Sequence, residues 1–497
     1  MTKRNIALIL ALVLCLQMIF TSCTLIDFAK MNDLMNNQNN SENITGNDDV
    51  TDQPSADDKT DDNKHDDNKP DDNKPDDGKT DVEDNTDDNK PDDGGSTDDA
   101  LAEALKEIAV PERFKEEYTI DRQKLLTAAN LATEKLLAKY EESGGAFPTT
   151  YSTDYQYTYG VNNNWTAGMY TGTYLMAYQL TGDERFADIV ENHILSFIER
   201  EENRVGMDDH DIGFVFMPSC IGAYKVLGSE SARDAALRAV EYYYDTGYSQ
   251  EGKFIIRAHT GWNTGWGCRT MIDSQMNASL FYWAGEYLGN DDYFSAAVDH
   301  TNTTIDLILR DDGSTYHHYQ FDPETAAPLY GVTWQGYADE SCWARGHSWG
   351  IYGFSIAYSY TESKEMMDAQ RATTYYMLNH LPEDLIPYWD YTFMSGDEEL
   401  RDTSAAAIAV CGMLDMAEAL PEGSAERLVY ESAAAQLLEA LIDLYTTDIG
   451  VDYDGLLHGV THAKPQGHGF EECAPYADYF FMEALARYLC EDFIRPW

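Results

Sequence analysis

From about residue 101 to Trp497 the apolar and polar positions follow one recurring phrase. A run of small and aromatic residues at helical spacing meets a short Gly/Asp-type turn, and a second helical run follows. It reads "LMAYQLTGDERFADIVENHI", "IGAYKVLGSESARDAALRAV", "LFYWAGEYLGNDDYFSAAVDHT", "FSIAYSYTESKEMMDAQRATTYYML" and "CGMLDMAEALPEGSAERLVYESAAAQLLEAL". The apolar period, the helix stop and an acid or serine able to cap the next helix predict helical hairpins with turns near residues 181, 227, 288, 361 and 420. An opening helix at "DRQKLLTAANLATEKLLAKY" and a closing one at "YFFMEALARYLC" bring the count close to twelve. Short solenoid repeats would recur more uniformly than these hairpins, which are spaced by roughly 45 to 75 residues. Hairpins closing into a ring give an all-α fold, an (α/α)6 barrel, with inner helices buried and the variable connections gathered at one end. The small residues of "TSAAAIAVCGML" suit close helix contact there. An open helical solenoid is the alternative architecture.

Ahead of this body, residues 1–23 begin with Lys3 and Arg4, continue with an apolar run from Ile6 to about Phe20, and end in "FTSC". The run is too short to span and ends in a processing-like site, so it reads as a secretory signal. The ending resembles the lipobox of bacterial lipoproteins, with Cys23 as the lipidated residue. Residues 24–105 follow as an acidic, Asp-Asn-Lys-Pro-rich tether with little to bury, which predicts an extended, disordered linker. The catalytic-sized body is then 106–497. These features place the protein on the extracellular face of a bacterial membrane by a lipid anchor alone, or secreted if Cys23 is not lipidated. A monomer is expected.

Charge narrows the partners. The chain carries 88 acidic against 34 basic residues, a formal charge of -54. Residues 41–100 hold 23 acids against 6 lysines, so about two-thirds of the excess lies elsewhere. Phosphate binding relies on Lys and Arg, so nucleic acid is excluded as a partner. Any anionic substrate needs a local exception to the overall field. The six cysteines beyond Cys23 are scattered with no CxxC pair, which indicates buried small hydrophobes and neither a zinc cage nor a disulfide scaffold.

Out-of-place polar residues cluster between hairpins, in "NNNWTAGMYTG", "DDHDIGF", "GWNTGWGCRTMIDSQMN", "RDDGSTYHHYQFDP" and "TWQGYADESCWARGHSWGIYG". Aromatic rings stack on the apolar faces of sugars while carboxylates, amides and an arginine address hydroxyls. A carboxylate among tryptophans is desolvated and stays protonated as a general acid. Asp273 is best placed for that, and a helix-start acid interacting with the dipole is the equal alternative. In "DDHDIGF" a metal would need a second His or Cys at ligand spacing, and the nearest "HH" is about a hundred residues on. Asp208 and Asp209 read as solvated acids, whereas the apolar residues after Asp211 pull it toward a buried helix start.

The motifs "HDIGF", "MIDSQMN", "DDGSTYHHYQFD", "QGYADESCWARGHSWGIYGF", "PYWD" and "RDTSAAAIA" together resemble glycoside hydrolase family 88, the unsaturated glucuronyl hydrolases. The resemblance implies an (α/α)6 barrel and substrates left by polysaccharide lyases, with a 4,5-unsaturated uronate at the non-reducing end. The implied chemistry hydrates the enol-ether double bond, with no metal and no cofactor. By motif position it implies Asp273 as acid/base and Asp211 as the second catalytic aspartate. His210, Asn277, His317, Gln335 and Arg345 would line the site, with His318 the alternative to His317. Trp165 and Trp349 would hold the sugar ring, and Trp266, with Trp262 as second choice, would stack on the next sugar. Arg345 is the candidate partner of the uronate carboxylate. His347 stands where the family commonly has Gln, and the C-terminal "THAKPQGHGFEECAPYADYFF" departs further. Rival readings are an unsaturated rhamnogalacturonyl hydrolase acting on pectin fragments and a non-catalytic sugar-binding surface lipoprotein.

Overall fold

The computed structural model describes residues 97–264, 267–448 and 451–497. The signal segment, Cys23, the linker as far as residue 96 and Trp266 lie outside the described residues. The first element, α1 (Thr97–Glu107), occupies what the sequence reads as the linker's end. Its Leu105 packs against the core together with Ile108.

Among the described residues, twelve further helices alternate between two rings. The outer ring is α2 (Arg122–Ser143), α4 (Glu184–Glu202), α6 (Glu230–Gly247), α8 (Asp291–Leu307), α10 (Lys364–His380) and α12 (Ala425–Tyr445). The inner ring is α3 (Ala167–Thr181), α5 (Ile212–Phe216, a π-helical turn Met217–Ile221 and Gly222–Leu227), α7 (Ser274–Asn277 and Ser279–Leu288), α9 (Ala344–Thr361), α11 (Thr403–Ala419) and α13 (Pro475–Leu489). Each inner helix touches the next, and α13 packs on both α11 and α3, which closes the ring as an (α/α)6 barrel.

Sequence explains which helices go inside. On α4 the buried positions Phe186, Ile189, Val190, His193, Ile194 and Phe197 form one stripe, leaving the other faces polar. On α9 and α11 nearly every residue is buried, and small side chains let the backbones approach: a Cβ on Gly412 would stand 2.7 Å from Tyr352 Cα. The hairpin turns fall where the pattern puts them. Three inner helices end in left-handed glycines, Gly182, Gly228 and Gly289, while α9 ends on Glu362 at φ 52°, a non-glycine in the same conformation.

These inner-to-outer turns are short, so the long outer-to-inner connections all collect at the N-terminal ends of the inner helices. They carry two short strand pairs, β1 (Phe147–Pro148) with β2 (Tyr159–Gly160) and β3 (Tyr248–Ser249) with β4 (Phe254–Ile255). A three-stranded antiparallel sheet follows, β5 (Arg269–Met271), β6 (His318–Phe321) and β7 (Pro328–Val332). At the opposite end Arg487 is buried between Asp415 at 3.2 Å and Glu483 at 3.1 Å, and Trp497 Nε1 donates to Glu483. No helix among the described residues is long and apolar enough to cross a membrane. Cys220, Cys268, Cys342, Cys411 and Cys473 are buried and unpaired, as expected of small hydrophobes.

Candidate active site

Residues at the N-terminal ends of four inner helices, α3, α5, α7 and α9, line one cavity of about 570 Å³. Their dipoles favour negative charge there, a local exception to the acidic field of the chain. Asp211 directly precedes α5 and Asp273 directly precedes α7, and both line the cavity.

The two helix starts are stapled by Asn277. Its Oδ1 accepts from Phe214 N at 2.6 Å and its Nδ2 donates to the Asp273 carbonyl at 3.0 Å. Gly213 makes the approach possible, because a Cβ there would lie 2.5 Å from Asn277 Cα. Asn277 is therefore wholly buried in the packing between α5 and α7 and is not part of the cavity wall.

Asp273 does not cap its helix through its side chain, and its Oδ2 has no hydrogen-bond partner among the described residues. The nearest charged-type neighbour is His317 Nε2 at 3.9 Å. Burial raises the Asp273 carboxyl above its usual range against the pull of His210, Arg345 and Arg257. Burial also raises Asp211; His210 opposes this, while the charges of Asp209 and Asp273 add to it. Such a pair of desolvated carboxyls suits acid–base work.

The histidines divide across the strand. β5 pairs with β6 so that His318 stands opposite Met271 and Ile272 N donates to the His317 carbonyl at 2.9 Å, which sets His317 beside Asp273. His318 lines the cavity, its Nε2 3.3 Å from Arg269 Nη1. His317 stands behind the wall, accepting at Nδ1 from Trp334 N and Gln335 N with its ring against Trp343. Burial holds His317 well below the ordinary histidine range and His318 at about 3, so both are neutral.

Other expected positions fare differently. Trp165 lines the cavity with its ring stacked on Tyr476 at 5.1 Å, and Gln335 lines it while donating to the His462 carbonyl. Trp349 does not reach it: one turn beyond Arg345, it points into the core against Phe214 and Phe480. Arg345 lines the cavity, but its Nη1 is engaged by Asp402 at 2.9 Å and the Thr461 carbonyl at 3.0 Å, so it fastens the 460–466 segment and has its charge matched before any uronate arrives. Trp262 is occupied with the Pro323 carbonyl. His347 is buried between Thr315 and Thr373, a packing role.

Asp209 is not the solvated acid the sequence suggests. Its Oδ2 lies 2.5 Å from Arg257 Nη1 and its Oδ1 2.7 Å from His210 Nδ1. Asp208 takes the backbone N–H and hydroxyl of Thr260. Asp209, His210 and Asp211 each bring a ligand-type atom within 4.8 Å of the others, but Arg257 already supplies positive charge at that corner. Sequence reasoning missed Arg257 and Arg269, both in the cavity wall. Their signal is scarcity: two arginines flank the "AHTGWNTGWGC" loop in a chain with 34 basic residues against 88 acids. Trp334 and Trp343 complete an aromatic lining that local patterning also passed over.

The family model described as Glycosyl Hydrolase Family 88 matches residues 140–488. The chain is 36% identical over 393 residues to an unsaturated chondroitin disaccharide hydrolase of Streptococcus pyogenes serotype M1, covering 78% of this chain and 96% of that protein. It is 32% identical over 348 residues to an unsaturated glucuronyl hydrolase of Bacillus sp. (strain GL1), covering 69% and 91%. The crystal structure of unsaturated glucuronyl hydrolase from Streptococcus agalactiae superposes with a TM-score of 0.75 at 34% identity, covering 79% of this chain and 98% of that one.

Proposed function

The chain belongs to glycosyl hydrolase family 88, and from that premise we propose that it is a glycosidase releasing 4,5-unsaturated uronic acid from the non-reducing end of lyase-generated glycosaminoglycan disaccharides. The observation that carries the reading is Asp273, a buried carboxyl facing the cavity with one oxygen unpartnered among the described residues and its proton affinity raised.

In the proposed reaction the Asp273 carboxylic acid gives its proton to C4 of the enol ether. The positive charge that develops at C5 and the ring oxygen is stabilised by the second carboxyl, Asp211, and by substrate contacts it orders. Water then adds at C5 while its proton passes to the Asp273 carboxylate, which restores the acid. The hemiketal so formed opens and frees the next sugar. This differs from glycoside displacement between opposed carboxylates, since the attacked bond is a C=C double bond. The helix N-termini and the Arg257 and Arg269 wall supply the attraction for an anionic sugar, and Trp165 offers a ring face.

Unsaturated disaccharides from chondroitin, hyaluronan, heparin and rhamnogalacturonan are the test panel, followed by loss of the ultraviolet absorbance of the conjugated enol ether. Loss on at least one glycosaminoglycan fragment is expected. Loss on the pectin fragment alone would transfer the protein to the rhamnogalacturonyl reading, and no loss on any would sink the enzymatic one.

For location, we propose lipid anchoring at Cys23 outside the cell membrane, supported by the "FTSC" ending and the acidic stretch behind it. Cys23→Ser is expected to shift the protein from the membrane fraction to the soluble fraction. An unchanged distribution refutes the anchor.

A further inference from the structure

Four side chains at one corner of the cavity stand in line. Arg257 Nη1 is 2.5 Å from Asp209 Oδ2, Asp209 Oδ1 is 2.7 Å from His210 Nδ1, and His210 Nε2 is 3.3 Å from Asp211 Oδ1. The two imidazole contacts are charge contacts, since neither has hydrogen-bond geometry. The backbone fixes the row: His210 N donates to the Arg257 carbonyl at 3.1 Å, and the His210 carbonyl accepts from Tyr243 Oη at 2.7 Å. Asp209 Oδ1 also accepts from Asp211 N at 3.3 Å, so both its oxygens are committed within the protein.

We propose that Asp209 and Arg257 are positioning residues that set the charge state of the His210–Asp211 pair, and with it the pH range over which Asp211 serves the reaction. The proposal rests on the reading of Asp211 as the second catalytic carboxyl. Its logic is electrostatic. A buried imidazole between two carboxyls and a buried carboxyl beside an imidazole share protons as one unit, and a fixed ion pair at the far end biases that unit. Asp209 is held ionised chiefly by its neighbour in the row: burial pushes this carboxyl up, but His210 first and Arg257 after it bring it below its usual range, so Asp209 keeps an ionising partner when Arg257 is removed. Burial alone would discharge His210; Asp211 first and the ionised Asp209 with it favour the protonated ring. Other groups face the pair from each neighbouring element: Arg200 on α4, Tyr243 on α6, Asp273 before α7, His300 on α8, and His317 with His318 at β6. The histidines among them are held neutral by burial, so the adjustable charges nearest the pair are Asp209 and Arg257.

The two members have opposite signs, and so must their removal. Asp209→Asn takes away an anion that raises the proton affinity of both partners, which moves the acid limb of kcat/KM to lower pH. Arg257→Met takes away a cation that lowers it, which moves the same limb to higher pH. Charges at this separation in a partly desolvated site warrant shifts of about one pH unit. The experiment records the pH profile on unsaturated chondroitin disaccharide, and in parallel the titration of the His210 ring by NMR with 13C-labelled histidine, assigned through His210→Gln. Opposite shifts in the two variants, in both readouts, with the wild-type profile restored by Asp209→Glu, are expected. Lower rates with unmoved profiles, or shifts of the same sign, overturn the proposal and leave a structural role only. If the wild type turns over none of the unsaturated disaccharides, the functional reading fails by itself, and the ring titration still decides whether Asp209 and Arg257 govern His210.

Discussion

Asp273→Asn lowers kcat on the unsaturated disaccharide by about 10³-fold or more, while the folded variant still binds substrate. The amide keeps the shape of the carboxyl and cannot give an acidic proton to C4. Binding survives because little else depends on this side chain: its nearest charged-type contact is His317 at 3.9 Å, and the bond that staples α7 to α5 runs from Phe214 N to Asn277 Oδ1, with Asp273 offering only its carbonyl to Asn277 Nδ2. Folding survives for the same reason, since removing a desolvated carboxyl also removes its burial cost. The pH dependence has a definite sign. Burial raises the Asp273 carboxyl, so the protonated, active form persists to higher pH than on a surface aspartate, and wild-type turnover falls as pH rises through the Asp273 transition. That basic limb is absent from any residual activity of the variant. Turnover by absorbance loss, binding by calorimetry and the melting temperature measure the three parts. Near-normal kcat removes Asp273 from the role of acid.

How much of this was legible in the sequence depends on how local each cause is. The hairpins were readable because their determinants lie within a few residues: the apolar stripe of α4 and the turns at Gly182, Gly228 and Gly289 are local facts. Inner and outer helices were partly readable, since "TSAAAIAVCGML" can be buried on every face. Side-chain direction was not. Trp349 and Arg345 lie a turn apart on one face of α9, yet Arg345 reaches the cavity and Trp349 the core, because one turn carries a side chain about 5 Å further along the axis and α9 is buried nearly all round, with nothing local to mark where the cavity floor falls. His317 and His318 alternate across β6, so the choice between them needed the pairing of β6 with β5. Asp209 was misread because its partner, Arg257, is 48 residues away beyond the β3–β4 hairpin, and a long-range ion pair leaves no local trace. Asn277 sits in the right motif for a different reason than ligand contact: it joins the two helix starts.

That joint makes Gly213→Ala costly to activity. A Cβ at residue 213 would stand 2.5 Å from Asn277 Cα and 2.6 Å from Asn277 O, and both obstacles are backbone, so no side chain can swing aside. One helix start must retreat. Asp211 is two residues before Gly213 and Asp273 four before Asn277, so the retreat separates the proposed acid from its partner carboxyl and stretches the Phe214 N to Asn277 Oδ1 bond of 2.6 Å. A misplacement of about an ångström in a catalytic array costs on the order of 100-fold in kcat. Overpacking of this kind destabilises by about 1–3 kcal/mol, which a protein of this core size survives. The expected variant is therefore folded, with a lowered melting temperature, and slow by roughly 100-fold. Gly160→Ala is the control: a Cβ at that position meets nothing within 4 Å, and the substitution leaves rate and melting temperature at wild-type values. If Gly213→Ala loses melting temperature but keeps kcat within about twofold, the two aspartates tolerate more separation than a mechanism requiring both would allow.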